Sequence, residues 1–420
     1  MKMRRLIILF TFFYLTGGSS SAQQNPSDSL TLQQAINIAL KNNLNIKAAD
    51  KEIKKNEYGV NENNAALYPS VSGKSHYIYA PEYGYDPAVT NGGEYGLQVS
   101  ADYTLYNGGL NHIAVDKANT NVTLARLNFE KAESELIFNV RSVYYEIDNA
   151  ARALKYQTEA VNSLEDYYNY LKESKAGGNA TQNDVLKTEV DLNNTKINLE
   201  ESVLNLEKSK RELYGLLFLS ADTSKIIIKS AVIDTSLMPI ESPDQFLDVK
   251  IAEMEASVNE FDIKTAQAER LPIVNLSGDA GVLGVKPKDY KNDLGYSASV
   301  DINVPVFSWG KVNAQIEQAT VSFEQSKMKV DIMKKNLKKT QDSLLTEFKF
   351  AKTKMEAYKS NVKTAEDNFY YSKALFIGGS GSTLEVLDAY RLLKDTKTNY
   401  NNSILSLQQA RAELLKLNGK

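Results

Sequence analysis

Residues 294–310, LGYSASVDINVPVFSWG, change period within a few residues and decide the fold. Leu294, Tyr296, Ala298, Val300, Ile302 and Val304 alternate with Gly295, Ser297, Ser299, Asp301 and Asn303. That period of two gives a strand with one apolar and one polar face. Pro305 and Gly310 end it, and neither Pro nor Gly recurs until Gly378. A run of 67 residues, 311–377, free of both breakers reads as one helix. At 1.5 Å per residue it is about 100 Å long. Val312, Ile316, Ala319, Phe323, Ser326 and Val330 start a row spaced by fours and threes that continues to Phe369 with one doubled four near Leu344. This is a heptad seam with a stutter, so the helix is expected to pack on other helices along its whole length.

Moving outward, the same pattern occurs earlier. In YGLQVSADYTLYNGG, 95–109, Leu97, Val99 and Ala101 alternate with Gln98, Ser100 and Asp102, and 66 residues without Gly or Pro follow, 111–176. Tyr106 and Phe307 are 201 apart, as are Gly177-Gly178 and Gly378-Gly379, and Leu186 and Leu387. Tyr68-Pro69 and Leu271-Pro272 repeat at 203. Landmarks in one order at one offset indicate a duplicated unit. The glycine pairs are expected to reverse the chain with positive φ, and Thr181 and Ser382 to cap the helices that return.

The resulting fold class is mainly α with membrane β, built from a repeated helix, β-hairpin, long helix and helix. The boundaries are 1–22 for a signal peptide, 23–218 for the first repeat, 219–245 for a linker and 246–420 for the second repeat. Strands are expected at about 70–80, 94–106, 272–284 and 293–307. Helices are expected at 31–67, 111–176 and 181–217, then at 246–270, 311–377 and 382–417. The signal assignment rests on Lys2, Arg4 and Arg5, the apolar run Leu6–Leu15 and the small residues before Gln23.

Composition excludes several functions. There is no Cys, hence no thiol catalysis, Cys-based zinc site, disulfide or Cys lipidation. The two His, at 76 and 112, are too few for a His-based metal site or triad. The formal charge of −3 becomes −6 without the three basic residues of the leader, a poor match to nucleic acid. Asp102 and Asp301 lack the shaped pocket that paired carboxylates need for glycosidase chemistry. Lys334, Lys335, Lys338 and Lys339 read as a solvated helix face. No enzyme activity and no cofactor are expected.

Alternating strands of about ten residues in an exported chain suit a barrel, apolar toward lipid and polar toward water. Aromatic residues gather at both strand ends, with Tyr68, Tyr106, Phe307 and Trp309 at one and Tyr79, Tyr83, Tyr85, Tyr95 and Tyr296 at the other. Gln98, Ser100, Asp102, Ser299, Asp301 and Asn303 should then line the lumen. Four strands cannot close a membrane barrel, so protomers must combine; two give eight strands and a filled interior, three give twelve and leave a lumen. Polar, small inward residues favour three.

Leu30–Asn43, Tyr68-Pro69-Ser70, Tyr106–Gly109 and Gly177–Leu186 together resemble the TolC-type outer membrane efflux proteins. The resemblance implies a homotrimer with a twelve-stranded outer-membrane barrel continued by a twelve-helix periplasmic coiled-coil tunnel. It also implies an equatorial belt and docking of the helical tips, at Gly177, Gly178, Gly378 and Gly379, to a periplasmic adaptor and an inner-membrane transporter. Such a protein is an exit duct for small-molecule efflux or type I secretion. Asp184, Glu385 and Asp388, just after the glycine turns, are expected to form a tip gate of like charges. Phe376 and Gly381 stand where some relatives carry a Tyr and an Arg of a tip lock. A coiled-coil adaptor without a barrel is the alternative; it would lack lipid-type strands.

Overall fold

A computed structural model describes residues 29–79, 94–219, 227–236, 239, 241–284 and 294–419. The expected signal peptide, Tyr83 and Tyr85 lie outside them. The order is α1 (Leu32–Asn42), α2 (Leu44–Ala65), β1 (Ser70–Ile78), β2 (Glu94–Asn107), α3 (Leu110–Ala176) and α4 (Gln182–Leu217). After a 3₁₀ turn at Pro243–Gln245 come α5 (Leu247–Ala268), β3 (Ile273–Gly284), β4 (Leu294–Asn303), α6 (Lys311–Ile377) and α7 (Thr383–Leu417).

The long helices α3 and α6 have 67 residues each. Both start after a left-handed glycine, Gly109 at φ 85° and Gly310 at φ 79°. On α6 the heptad row supplies most of the buried residues, including Val330, Leu344, Phe348, Ala351, Met355 and Phe369. Gln341 replaces the expected Thr340 at the stutter, where its Nε2 donates to the Glu241 carbonyl at 2.9 Å.

Three expectations need correction. The first helix, expected over 31–67, is two helices. Asn43 adopts φ −60° and ψ 126°, and its Oδ1 accepts from the Asn45 and Ile46 amides at 2.8 and 3.4 Å. A side chain that caps a new helix competes with the helix before it, and apolar spacing alone does not reveal this. The break lets α1 turn its Ala35, Ile36 and Ala39 into a core with Val140, Tyr144 and Leu217. The last strand ends at Asn303 rather than 307, two residues before Pro305, which has no amide to extend a ladder. At the reversals only the second glycine is left-handed: Gly178 has φ 78° and Gly379 φ 77°, whereas Gly177 and Gly378 have φ −86° and −75°.

The two hairpins form one antiparallel sheet in the order β1-β2-β3-β4, so β2 and β3 join the two repeats. Among the described residues its outer edges, β1 and β4, have no further strand beside them in the sheet. Helices lie side by side below it. In the half nearer the sheet α2 packs on α3, α3 on α5 and α5 on α6; farther away α4 packs on α3, α3 on α7 and α7 on α6. At mid-length Leu30 bridges Ile228 in parallel, and the Tyr144 hydroxyl lies 2.9 and 2.5 Å from the Leu30 and Lys229 carbonyls. Burial pushes the Tyr144 hydroxyl pKa up to about 12, so it stays protonated as a donor there.

Candidate functional site

Apart from Ser75, which pairs with Leu97, the register puts the polar positions of the strands on one face. Ser70 pairs with Asp102, Asp102 with Ser277 and Ser277 with Ser299. The next row runs Ser72, Ser100, Asp279 and Ser297. The Ser277 and Ser299 hydroxyls are 2.7 Å apart, and Ser299 donates to Asp301 at 3.1 Å. Thr104 donates to Asn275 at 3.0 Å. Cross-strand hydroxyl and carboxylate pairs of this kind hold the register while leaving the face wet.

Gln98, Asp102, Ser299, Asp301 and Asn303 all lie on this face, and all but the half-buried Gln98 are exposed. Ser100 is on it but only 1% exposed, because its hydroxyl donates to Asp279 at 2.5 Å. Asp279, on β3, is a residue of this face outside the expected lumen set. Gly281 sits beside Gln98, where an added Cβ would come within 2.3 Å of the Leu97 carbonyl. Gly96 leaves room for the His76 ring in the same way. The opposite face carries Val71, Leu97, Val99, Tyr296, Val300 and Ile302, all exposed. A register shift between Thr104 and Tyr106 moves Tyr106 onto this apolar face beside Val274. Phe307 and Trp309, in edge contact at 4.8 Å, are exposed near the same end.

The far end of the helices is the second part of the site. Each reversal is a Schellman turn, with Asn179 N donating to the Ser174 carbonyl at 2.9 Å and Ser380 N to the Leu375 carbonyl at 2.9 Å. Thr181 and Ser382 cap α4 and α7 through reciprocal boxes. In these boxes the Thr181 amide donates to Asp184 at 2.9 Å and the Ser382 amide to Glu385 at 2.8 Å. Both acids therefore serve helix starts. Burial opposes ionisation of Asp184, but the Thr181 hydroxyl and amide outweigh it and hold the carboxyl below its ordinary value.

Asp388 is exposed and accepts from Arg391 at 3.2 Å. Arg391 also reaches across to Asp191 of α4 at 2.9 Å, and just beside it Thr195 and Tyr390 hydroxyls meet at 3.2 Å. Sequence reading missed this α4–α7 tie; the Asp388/Arg391 spacing of three was its one visible sign. Phe376 stands edge-on to Tyr167 and Tyr170, at 5.7 and 6.2 Å between ring centroids. A Cβ on Gly381 would approach the Phe376 amide to 2.9 Å, so this turn has no room for a long side chain at 381. Lys397 joins Glu366 of α6 at 2.9 Å and Glu159 of α3 at 3.8 Å.

A four-stranded sheet with an exposed apolar face and a polar opposite face thus stands at one end of two helices of 67 residues. The sequence profile described as "Outer membrane efflux protein" matches residues 35–217 and 245–420. The chain belongs to that family of outer-membrane efflux channels, which extend from the outer membrane into the periplasm. Its fold is that of solved channels. CusC, described in terms of folding and transmembrane channel formation, superposes at TM-score 0.83 and 17% identity, covering 92% of this chain and 91% of that one. VceC of Vibrio cholerae gives 0.81 and 16%, covering 92% and 96%. CmeC of Campylobacter jejuni gives 0.81 and 16%, covering 99% and 94%. No curated protein is a significant sequence match. Family membership sets aside the adaptor alternative.

Proposed function

We propose that the chain is a passive exit duct, formed by three copies, for small-molecule efflux or type I secretion. The observation that carries this reading is that the described residues form one four-stranded sheet with two open edges and one exposed apolar face. Lipid does not tolerate unpaired strand edges, so the edges must be closed by other copies. Three sheets give twelve strands, enough to leave a water-filled lumen lined by Gln98, Asp102, Ser299, Asp301 and Asn303. Twelve long and half-length helix positions then continue the lumen as a tunnel. The described linker residues 227–236 and 241–245 belong to an equatorial belt outside its wall.

The duct contributes no chemistry and no energy. An inner-membrane transporter supplies the work, and a periplasmic adaptor joins it to the tips at Gly177, Gly178, Gly378 and Gly379. Asp388, with Asp184 and Glu385, sets a negative field at the narrow end, which favours cations as acidic rings do in other pores. The test is reconstitution of the purified chain into planar bilayers. Discrete conductance steps with cation preference are expected; a chain that extracts from membranes in carbonate and adds no conductance would refute the duct.

A further inference from the structure

We propose that each protomer carries a small-molecule site among its helices, built to take an aromatic carboxylate. It lies in a cleft of about 220 Å³ lined by α3, α6 and α7. The site is complete within one protomer, so it does not depend on how many copies close the barrel.

Four rings supply the apolar part: Tyr156 of α3, Phe369 and Tyr370 of α6, and Tyr390 of α7. Phe369 is tilted against Tyr370 at 5.8 Å and against Tyr390 at 6.1 Å between ring centroids. Phe369 and Tyr390 are buried and pack the helices together, whereas Tyr370 is 68% exposed. An apolar cavity of about 150 Å³ takes one benzene, so this cleft has room for a fused pair of rings. A flat aromatic ligand meets such side chains offset-stacked or edge-on.

Charge decides the polar end of the ligand. Glu159, Glu366, Lys394 and Lys397 line the same cleft. Lys397 already holds both carboxylates, Glu366 at 2.9 Å and Glu159 at 3.8 Å, and its Nζ lies 5.7 Å from the Tyr156 ring centroid. Lys394 is half-buried and forms no ion pair among the described residues. Its neighbours three and four residues away on α7 are Tyr390, Arg391, Lys397 and Thr398, so its own helix face supplies no acid. Arg391 is itself taken up by Asp388 and Asp191. Like charges three apart on a helix repel, and an anion beside Lys394 offsets that repulsion. A cationic ligand would have to take Glu159 or Glu366 from Lys397, whereas an anion finds Lys394 without a competitor. Ser163 of α3 also lines the cleft, and its hydroxyl makes no hydrogen bond among the described residues, which leaves it as a second donor to a carboxylate. Because α3 comes from the first repeat and α6 and α7 from the second, a ligand here bridges the two halves of the duplicated unit.

The probe is a fluoronaphthoate, with the matching fluoronaphthylmethylammonium as its charge-reversed partner. The full chain is placed in phosphatidylcholine nanodiscs, and fluorine NMR relaxation of each probe is compared with empty nanodiscs to remove lipid partitioning. A ligand of about fourteen heavy atoms at ordinary efficiency implies a dissociation constant of about 1 mM. The naphthoate is expected to bind at that level, and the ammonium about tenfold more weakly. Lys394→Gln should cost the naphthoate about tenfold, while Lys349→Gln, an exposed control elsewhere on α6, changes nothing. Tyr370→Ala removes an exposed ring without emptying the core and should also weaken the naphthoate. No binding by the parent chain up to about 5 mM, equal binding of the two probes, or a parent-like affinity in Lys394→Gln or Tyr370→Ala would each overturn the site. Conductance steps from a chain that binds no naphthoate strike the site and leave the duct standing.

Discussion

Replacing Val300 by Arg separates the two faces of the sheet most sharply. Val300 lies on β4 between Leu276 of β3 and the open edge, and is 58% exposed in one protomer. Ten residues at about 3.3 Å each, tilted by about 40°, span roughly 25 Å, the height of a barrel's apolar band. Val300 then sits near mid-height, where an Arg facing lipid costs about 2–4 kcal/mol. Because it lies a little off centre, about 2 kcal/mol per chain is the working figure, or roughly 6 kcal/mol for three copies. Ser299, one residue away, faces Ser277 and Asp301. An Arg there meets water and a carboxylate, and such surface changes stay within about 0.5 kcal/mol. The assay is refolding into lipid vesicles across a urea series, scored by the fraction that runs as a heat-sensitive oligomer. Val300→Arg should lose most of its folded fraction at urea concentrations where Ser299→Arg matches the parent. In bilayers Ser299→Arg should instead lower cation conductance. Equal urea midpoints, or a larger loss for Ser299→Arg, would refute the face assignment.

Glu385→Gln with Asp388→Asn should reduce cation selectivity and block by multivalent cations in single-channel recordings, whereas unchanged values would make both acids ordinary surface residues. An epitope inserted after Pro239 should leave assembly intact, but one at Ala351, buried in the α6 seam, should abolish it on native gels; equal damage would contradict the belt. Asp184 has its folded pKa below 3.8, so its stabilisation is present above 3.8 and lost as pH falls through the folded value. Asp184→Asn should therefore lower the urea midpoint at pH 7, with the gap closing as pH falls below 3.8 through the folded value; a gap independent of pH would count against the capping box.

What sequence revealed and what it hid divide along locality. The 67-residue helices, the alternating faces and the Thr181 and Ser382 caps were legible because each is decided within a turn or a strand. The Asn43 break was hidden because apolar spacing continues through it; a side-chain cap decides it, and α1 then finds its core in α3 and α4. Tyr106 has the parity of the polar face, and only the irregularity after Thr104 turns it outward. The cap duty of Asp184 and Glu385 follows from Thr181 and Ser382 three residues earlier, whereas Arg391 meeting Asp191 depends on contacts 200 residues apart. No local pattern reports that distance.

The central claim is that this chain supplies four of twelve strands to a shared pore. Native mass spectrometry of the protein released from detergent micelles tests it most directly. Three chains per particle, with no stable population of one or two, is the result the sheet's open edges require. Single chains that retain β-sheet signal and stay soluble in lipid would contradict it.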